Sequence, residues 1–209
     1  MGSKNIRELK IWISGSEGVG KSSFLLQNSF KIVCETEKAI RYTKRYKYND
    51  DSYLIKAVEC PLYHHTAEIL IDSQAILVCF NLADRTSYDF VKEYIKKLKE
   101  RVSSKTIFCL VGTFADIADK PKVSAREAEY YCKMNNIEFA EVSCISGYNV
   151  KEPLVKILQA FNKISKIEKT EKAPLSENNG GFVGFGTVIS FIFIMIYTFA
   201  QIMVPSKEF

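Results

Sequence analysis

The residues best suited to chemistry lie near the start of the chain, where Gly15-Ser16-Glu17-Gly18-Val19-Gly20-Lys21-Ser22 fits the spacing G-x-x-x-x-G-K-[ST] without a gap. Glycines at those positions let a backbone wrap closely around a phosphate chain, with successive N–H groups pointing inward. A helix N-terminus at the end of the stretch adds partial positive charge. Lys21 would reach the terminal phosphates, Ser22 would hold a magnesium ion, and Ser23 would continue the binding stretch into the helix. The alternative is a plain glycine-rich turn. Context argues against it, because the apolar alternation of residues 9–13 predicts a strand before the loop and residues 23–27 predict a helix after it.

The elements that must position this loop can be read further along. Residues 32–40 read as a loop, and Tyr42, Tyr46 and Tyr48 share one face of a strand whose other face carries Thr43, Arg45 and Lys47. That pattern suits either a basic-aromatic surface for single-stranded nucleic acid or a half-buried edge strand with its charges outward. The second reading is preferred. Asn49-Asp50-Asp51 makes a turn, and residues 52–58 return as the partner of a hairpin. The uninterrupted apolar run 75–80 predicts a central parallel strand, with further buried strands at 106–111 and 137–142. Helices are predicted over 85–101, from Ser124 through Met134 with Glu127 completing a capping box, and over 150–167 with Pro153 in the first turn. Six strands alternating with helices after a phosphate loop imply an α/β fold: a doubly wound, mostly parallel sheet with its ligand at the carboxyl ends of the strands.

Composition bounds the rest. The 209 residues are 47% hydrophobic and 25% charged, which excludes a disordered or fibrous chain. The net charge of +5 is too weak to argue for a nucleic-acid partner, and none is expected. Cys34, Cys60, Cys79, Cys109, Cys132 and Cys144 are widely spaced, so they read as reduced thiols and not as a disulfide frame or zinc site. Gly2 stands where a myristoyl chain would attach, but Ile6 replaces the Ser or Thr that signal wants. Residues 182–204 hold no charge across 23 positions. As a helix they would span roughly 34 Å, enough to cross a bilayer core. Lys163, Lys166, Lys169 and Lys172 precede this stretch and Lys207 alone follows it, which would keep the main domain cytosolic. The expected organisation is a globular domain over 1–168, a linker over 169–181, a single-pass tail anchor over 182–204 and a distal tail over 205–209. The spacings Gly180-x-x-x-Gly184 and Gly186-x-x-x-Ser190 are compatible with helix pairing in the membrane but are common.

Over about residues 7–167 the chain resembles a Ras-superfamily small GTPase, closest in style to the Rab branch. The resemblance rests on the phosphate loop and on the run 76–81 followed by Asp84-Arg85-Thr86-Ser87-Tyr88. It continues through Leu110-Val111-Gly112-Thr113-Phe114-Ala115-Asp116, the run 123–128, the run 138–145 and Gly147-Tyr148-Asn149-Val150. It implies the small G-protein form of the P-loop NTPase fold, with GTP or GDP and Mg2+ as cofactors and effector or exchange-factor proteins as partners. The family's N-K-x-D motif stands here as Thr113-Phe114-Ala115-Asp116, with Asp116 able to accept two hydrogen bonds from a guanine edge. The S-A-K motif stands as Ser143-Cys144-Ile145 without its lysine, and Phe30 resembles the aromatic that meets the base. Rab-like chains usually end in prenylated cysteines. No cysteine follows Cys144, and the apolar stretch would take over that role.

The hydrolytic half departs further. D-T-A-G-Q is replaced by Glu59-Cys60-Pro61-Leu62-Tyr63. Glu59 could hold the metal through water, and Thr36 is the best counterpart of the metal-binding switch threonine. Leu62 replaces the glycine that meets the γ-phosphate, and Tyr63 replaces the glutamine that orients water, with His64 as a possible substitute. Glu17 places charge and bulk near the γ-phosphate. The expectation is therefore a membrane-anchored GTP-binding protein of Rab or Ras type, in traffic or signalling, with slow hydrolysis. The alternative is a pseudoGTPase scaffold. A P-loop kinase is disfavoured because no arginine-rich lid is evident.

Overall fold

The β1 sequence Ile6–Gly15 explains why the sheet is covered on both sides. Leu9, Ile11 and Ile13 belong to one buried cluster and Trp12 to the other, as the two-residue strand period requires. The computed structural model describes residues 6–60, 72–117 and 121–171. In chain order β1 is followed by α1 (Lys21–Gln27), β2 (Lys31–Glu35), β3 (Ile40–Tyr48), β4 (Asp51–Glu59), β5 (Ala75–Asn81) and α2 (Arg85–Lys99). Then come β6 (Ile107–Thr113), α3 (Ala125–Met134), β7 (Glu138–Glu141) and α4 (Glu152–Glu171).

The seven strands form one sheet in the order β2-β3-β4-β1-β5-β6-β7. β1 runs parallel to β4 and β5, and β5-β6 and β6-β7 are parallel, whereas β2-β3 and β3-β4 are antiparallel. In β5, Ala75, Leu77 and Cys79 face the first cluster and Ile76, Val78 and Phe80 the second. Phe24 and Leu25 of α1 and Leu154, Ile157 and Leu158 of α4 cover the first face. Tyr88, Val91, Ile95 and Leu98 of α2, with Ala128 and Cys132 of α3, cover the second. Each helix buries one stripe at 3–4 spacing, and the sheet is doubly wound as expected.

Two expectations need correction. There are seven strands, not six, because residues 31–35 form β2 where the sequence pattern suggests a loop from residue 32. All five of its residues are exposed, and the pairing with β3 slips between Ile32 and Cys34. No inward/outward alternation therefore marks it. As a consequence the tyrosine-bearing strand β3 is not at the edge but lies between β2 and β4. Its tyrosines do point inward: Tyr42 is buried, and Tyr46 and Tyr48 pack against the first cluster.

Side chains cap the starts of α2 and α3, although the Glu127 carboxylate of the expected capping box is turned to Arg85. The Asp84 carboxylate accepts from the Thr86 hydroxyl at 2.7 Å and from the Thr86 N–H at 3.0 Å, and the hydroxyl bond first, then the backbone bonds, hold its carboxyl below the usual range. Ser124 accepts from the Glu127 N–H at 3.2 Å, while the Glu127 carboxylate pairs with Arg85 at 2.8 Å and so joins the starts of α3 and α2. Among the described residues no helix is long and apolar enough to cross a membrane. The span proposed for 182–204, the helix-pairing spacings over 180–190, most of the linker, and Pro61, Leu62, Tyr63 and His64 lie outside the described residues.

Candidate functional site

β1 delivers the phosphate loop at the carboxyl edge of the sheet, where its last residue, Gly15, aligns with Cys79 of β5. Gly15 has φ +143°, and a Cβ there would come within 2.3 Å of the Cys79 carbonyl oxygen, so only glycine fits. Gly18 and Gly20 also have positive φ, at +73° and +86°, and Gly20 starts α1 without a side-chain cap. The Lys21 ammonium folds back over the loop and donates to the carbonyls of Ser16 at 2.8 Å and Gly15 at 3.1 Å. Val19 is buried in the first cluster and fixes the base of the loop.

Beside the loop the structure joins two of the residues proposed for the metal. Ser22 Oγ donates to Glu59 Oε1 at 2.8 Å, and the Tyr42 hydroxyl donates to Glu59 Oε2 at 2.9 Å. Glu59 is 9% exposed at the end of β4, which the Trp12 indole pins by donating to the Cys60 sulfur at 3.0 Å. Burial first, and the Glu59 carboxylate second, push the Tyr42 phenol well above its ordinary value, so it remains a donor at neutral pH. With the Ser22 proton given to Glu59, the lone pairs of Oγ are left for a cation. That arrangement fits magnesium at Ser22, with Glu59 acting as the group that orients it. Thr36 lines, with Lys21 and Glu59, a cavity of about 400 Å3 beside the loop, but its side chain is engaged locally. Its hydroxyl donates to the Ala39 carbonyl at 2.9 Å and accepts from the Ala39 N–H at 3.1 Å.

The second half of the site follows β6 and β7. Thr113 is 1% exposed, and its hydroxyl lies 2.8 Å from both the Val19 and the Phe80 carbonyl oxygens. Thr113 thus ties the end of β6 to the phosphate loop instead of presenting its side chain outward. Phe114 takes a left-handed φ of 61°, uncommon for a bulky residue, and its ring edge comes within 3.9 Å of a Cβ built on Gly20. Asp116 is exposed on the following turn, which is held by Ala115 N–H donating to the Val142 carbonyl at 3.2 Å. Ser143 is buried and accepts from the Ser146 N–H at 3.1 Å. Burial, then the nearby Asp116 charge, push the half-buried Cys144 thiol up. The 113–116 and 143–145 segments therefore lie side by side, with Thr113 and Phe114 against the phosphate loop.

Phe30 lies elsewhere. It is 4% exposed within the first cluster, with the Lys44 ammonium 5.6 Å from its ring centre, so it packs as a core residue. Burial lowers the Lys44 pKa, with the Lys151 charge adding to the effect. Sequence reasoning also missed Tyr42, whose place on the inward strand face was legible but whose hydroxyl needed a buried partner.

A mostly parallel, doubly wound sheet that ends its first strand in a glycine cradle with an inward lysine defines a phosphate-loop α/β protein. The Ras family model matches residues 10–163. Ras-related protein RABF2a of Arabidopsis thaliana is 26% identical over 175 residues, covering 80% of this chain and 87% of the relative. GTP-binding protein ypt3 of Schizosaccharomyces pombe is 25% identical over 167 residues, covering 74% of this chain and 76% of the relative. The chain belongs to the Ras family, and its likeness within it is of the Rab and Ypt type.

Proposed function

We propose that this chain is a Rab-type small GTP-binding protein that binds GTP and GDP with magnesium. In this reading it sits on the cytosolic face of an intracellular membrane, anchored by residues 182–204, and serves membrane traffic or signalling. The observation that carries the nucleotide half is the loop whose Gly15 no other residue can replace, with Lys21 and Ser22 at its end. Loop N–H groups bind the phosphates, and Lys21 exchanges its loop carbonyls for phosphate oxygens. Ser22 offers its oxygen to magnesium, which supplies charge neutralisation when bound. Asp116 accepts from the guanine edge, while Thr113 keeps the loop seated under it. Hydrolysis is slow in this reading, because Leu62 and Tyr63 stand in for the glycine and glutamine of the family pattern.

The full chain in detergent tests this. Nucleotide released by mild denaturation should run as GDP or GTP on chromatography. Nucleotide added at 100 times its Kd should stabilise the protein by about 2.7 kcal/mol, roughly 5–10 °C in Tm. Lys21→Ala should abolish both effects, and single-turnover hydrolysis should fall well below that of a glutamine-bearing relative. Resistance of the full chain to alkaline extraction from membranes, lost on deletion of residues 182–204, tests the anchor.

A second reading, a scaffold that needs no nucleotide, draws on the way Lys21 already satisfies itself on the loop carbonyls. A Tm unmoved by either nucleotide supports it.

A further inference from the structure

Terminal phosphates in a loop of this kind are met by the lysine and by whatever lines the space beyond it. Here that space is the cavity of about 400 Å3 between the phosphate loop and residues 35–40. Glu17 from the loop, Glu35 and Glu37 from the end of β2 and the turn after it, and Glu59 from β4 line it, and Lys21 is the single cation among its described lining residues. Glu59 is engaged with Ser22 and Tyr42, whereas Glu17, Glu35 and Glu37 are exposed.

We propose that this site discriminates against a third phosphate, holding guanosine diphosphate more tightly than the triphosphate, with Glu17 as the chief determinant and Glu35 and Glu37 as contributors. The inference rests on the nucleotide-binding reading above and deepens it. A diphosphate finds its charge matched by loop N–H groups and Lys21. A third phosphoryl group brings at least one further negative charge into a space walled by carboxylates. Like charges a few ångströms apart repel by an amount that exposure and salt reduce but do not remove. Glu17 ranks first because the loop itself fixes its Cα, whereas Glu35 and Glu37 stand on an exposed edge.

The test is equilibrium displacement of a fluorescent GDP analogue from the full chain in detergent, with magnesium in excess. GTP should bind about tenfold more weakly than GDP at low ionic strength, and the ratio should shrink toward one as salt is raised. Glu17→Gln should lower the ratio severalfold, and Glu35→Gln with Glu37→Gln should lower it by a smaller factor. GDP affinity measured in parallel shows that each variant is folded, and Glu17→Gly serves should Glu17→Gln fail to bind. Equal affinity of the unaltered chain for the two nucleotides overturns the inference and leaves the nucleotide-binding reading standing. A preference that survives both sets of substitutions and high salt overturns the assignment to these carboxylates. Binding of neither nucleotide overturns the inference together with the reading beneath it.

Discussion

Strands β1, β5, β6 and β7 and strands β2, β3 and β4 contribute to the site on different terms. In the first group, β5 buries all of its residues but Asn81 and β6 buries every residue, with a helix layer on each face. The loops leaving the ends of β1, β6 and β7 are held to one another by short contacts, Thr113 to Val19 and Ala115 to Val142 among them. In the second group β2 is wholly exposed, β3 buries only Tyr42, and β4, beside β1, buries Tyr53, Ile55, Ala57 and Glu59. That group nevertheless supplies Glu59, Tyr42 and Glu35, the polar side chains beside Ser22 and the terminal-phosphate space. The cradle is therefore built into the rigid half, and what surrounds the terminal phosphates is built into the soft one. Chemistry can change on the second without loss of the first, and the Glu59 departure from the family pattern lies there, whereas the changes at Glu17, Thr113, Phe114 and Ile145 lie beside the first.

The sharpest way to break that contrast is a matched pair of truncations. Leu77→Ala removes a buried side chain at the centre of β5 and should cost about 4 kcal/mol, whereas Val33→Ala on β2, 61% exposed, should stay within about 0.5 kcal/mol. Chemical denaturation of both variants decides it. A Val33→Ala loss comparable to that of Leu77→Ala would mean that β2 is packed as firmly as the centre. Next in size is Gly15→Ala. Its Cβ would press on the Cys79 carbonyl oxygen in a φ region hostile to alanine, and neither backbone can yield cheaply. A loss of about 3 kcal/mol is expected, together with loss of nucleotide uptake.

Tyr42→Phe examines the soft half where it touches the site. Removing the hydroxyl leaves Glu59 Oε2 without the donor now 2.9 Å away, on a side chain only 9% exposed. The expected cost is about 1.5 kcal/mol of stability, with a weaker magnesium dependence of nucleotide binding because Glu59 is then free to turn from Ser22. Unchanged magnesium dependence would show that Ser22 is oriented without the Tyr42–Glu59 contact.

The same division explains what the sequence made legible. The continuous apolar runs of β5 and β6 and the 3–4 stripes of α2 and α4 announce themselves, because burial on both faces leaves no other composition possible. The phosphate loop is legible for a comparable reason: few residues but glycine survive at Gly15. β2 was illegible because its five residues carry neither a buried face nor a regular register. Phe30 is ambiguous in the sequence because an aromatic just after α1 looks alike whether it meets a ligand or the core, and the structure packs it with Lys44 and the first cluster. Glu59 could be chosen from its motif position, but its pairing with Ser22 and Tyr42 depends on where three separate elements end.

The smallest effect is expected from alkali acting on the rigid half. Burial raises the Cys132 thiol from an ordinary 9.0 to about 12, with the Glu138 charge adding to it. A folded value above the unfolded one means that the folded state keeps a proton the unfolded chain gives up. The stability tied to that proton is complete below pH 9 and is lost as pH climbs toward 12, at up to about 1.4 kcal/mol per pH unit. Cys132→Ala carries no such proton. Its deficit against the unaltered chain, set at pH 7.5 by the small space it leaves in the second cluster, should therefore narrow by about 1 kcal/mol at pH 10. Urea unfolding at the two pH values reads that narrowing directly. A deficit that stays constant would mean the thiol ionises as readily inside the fold as outside it, and that the second face of the sheet admits water where the packing of α3 excludes it.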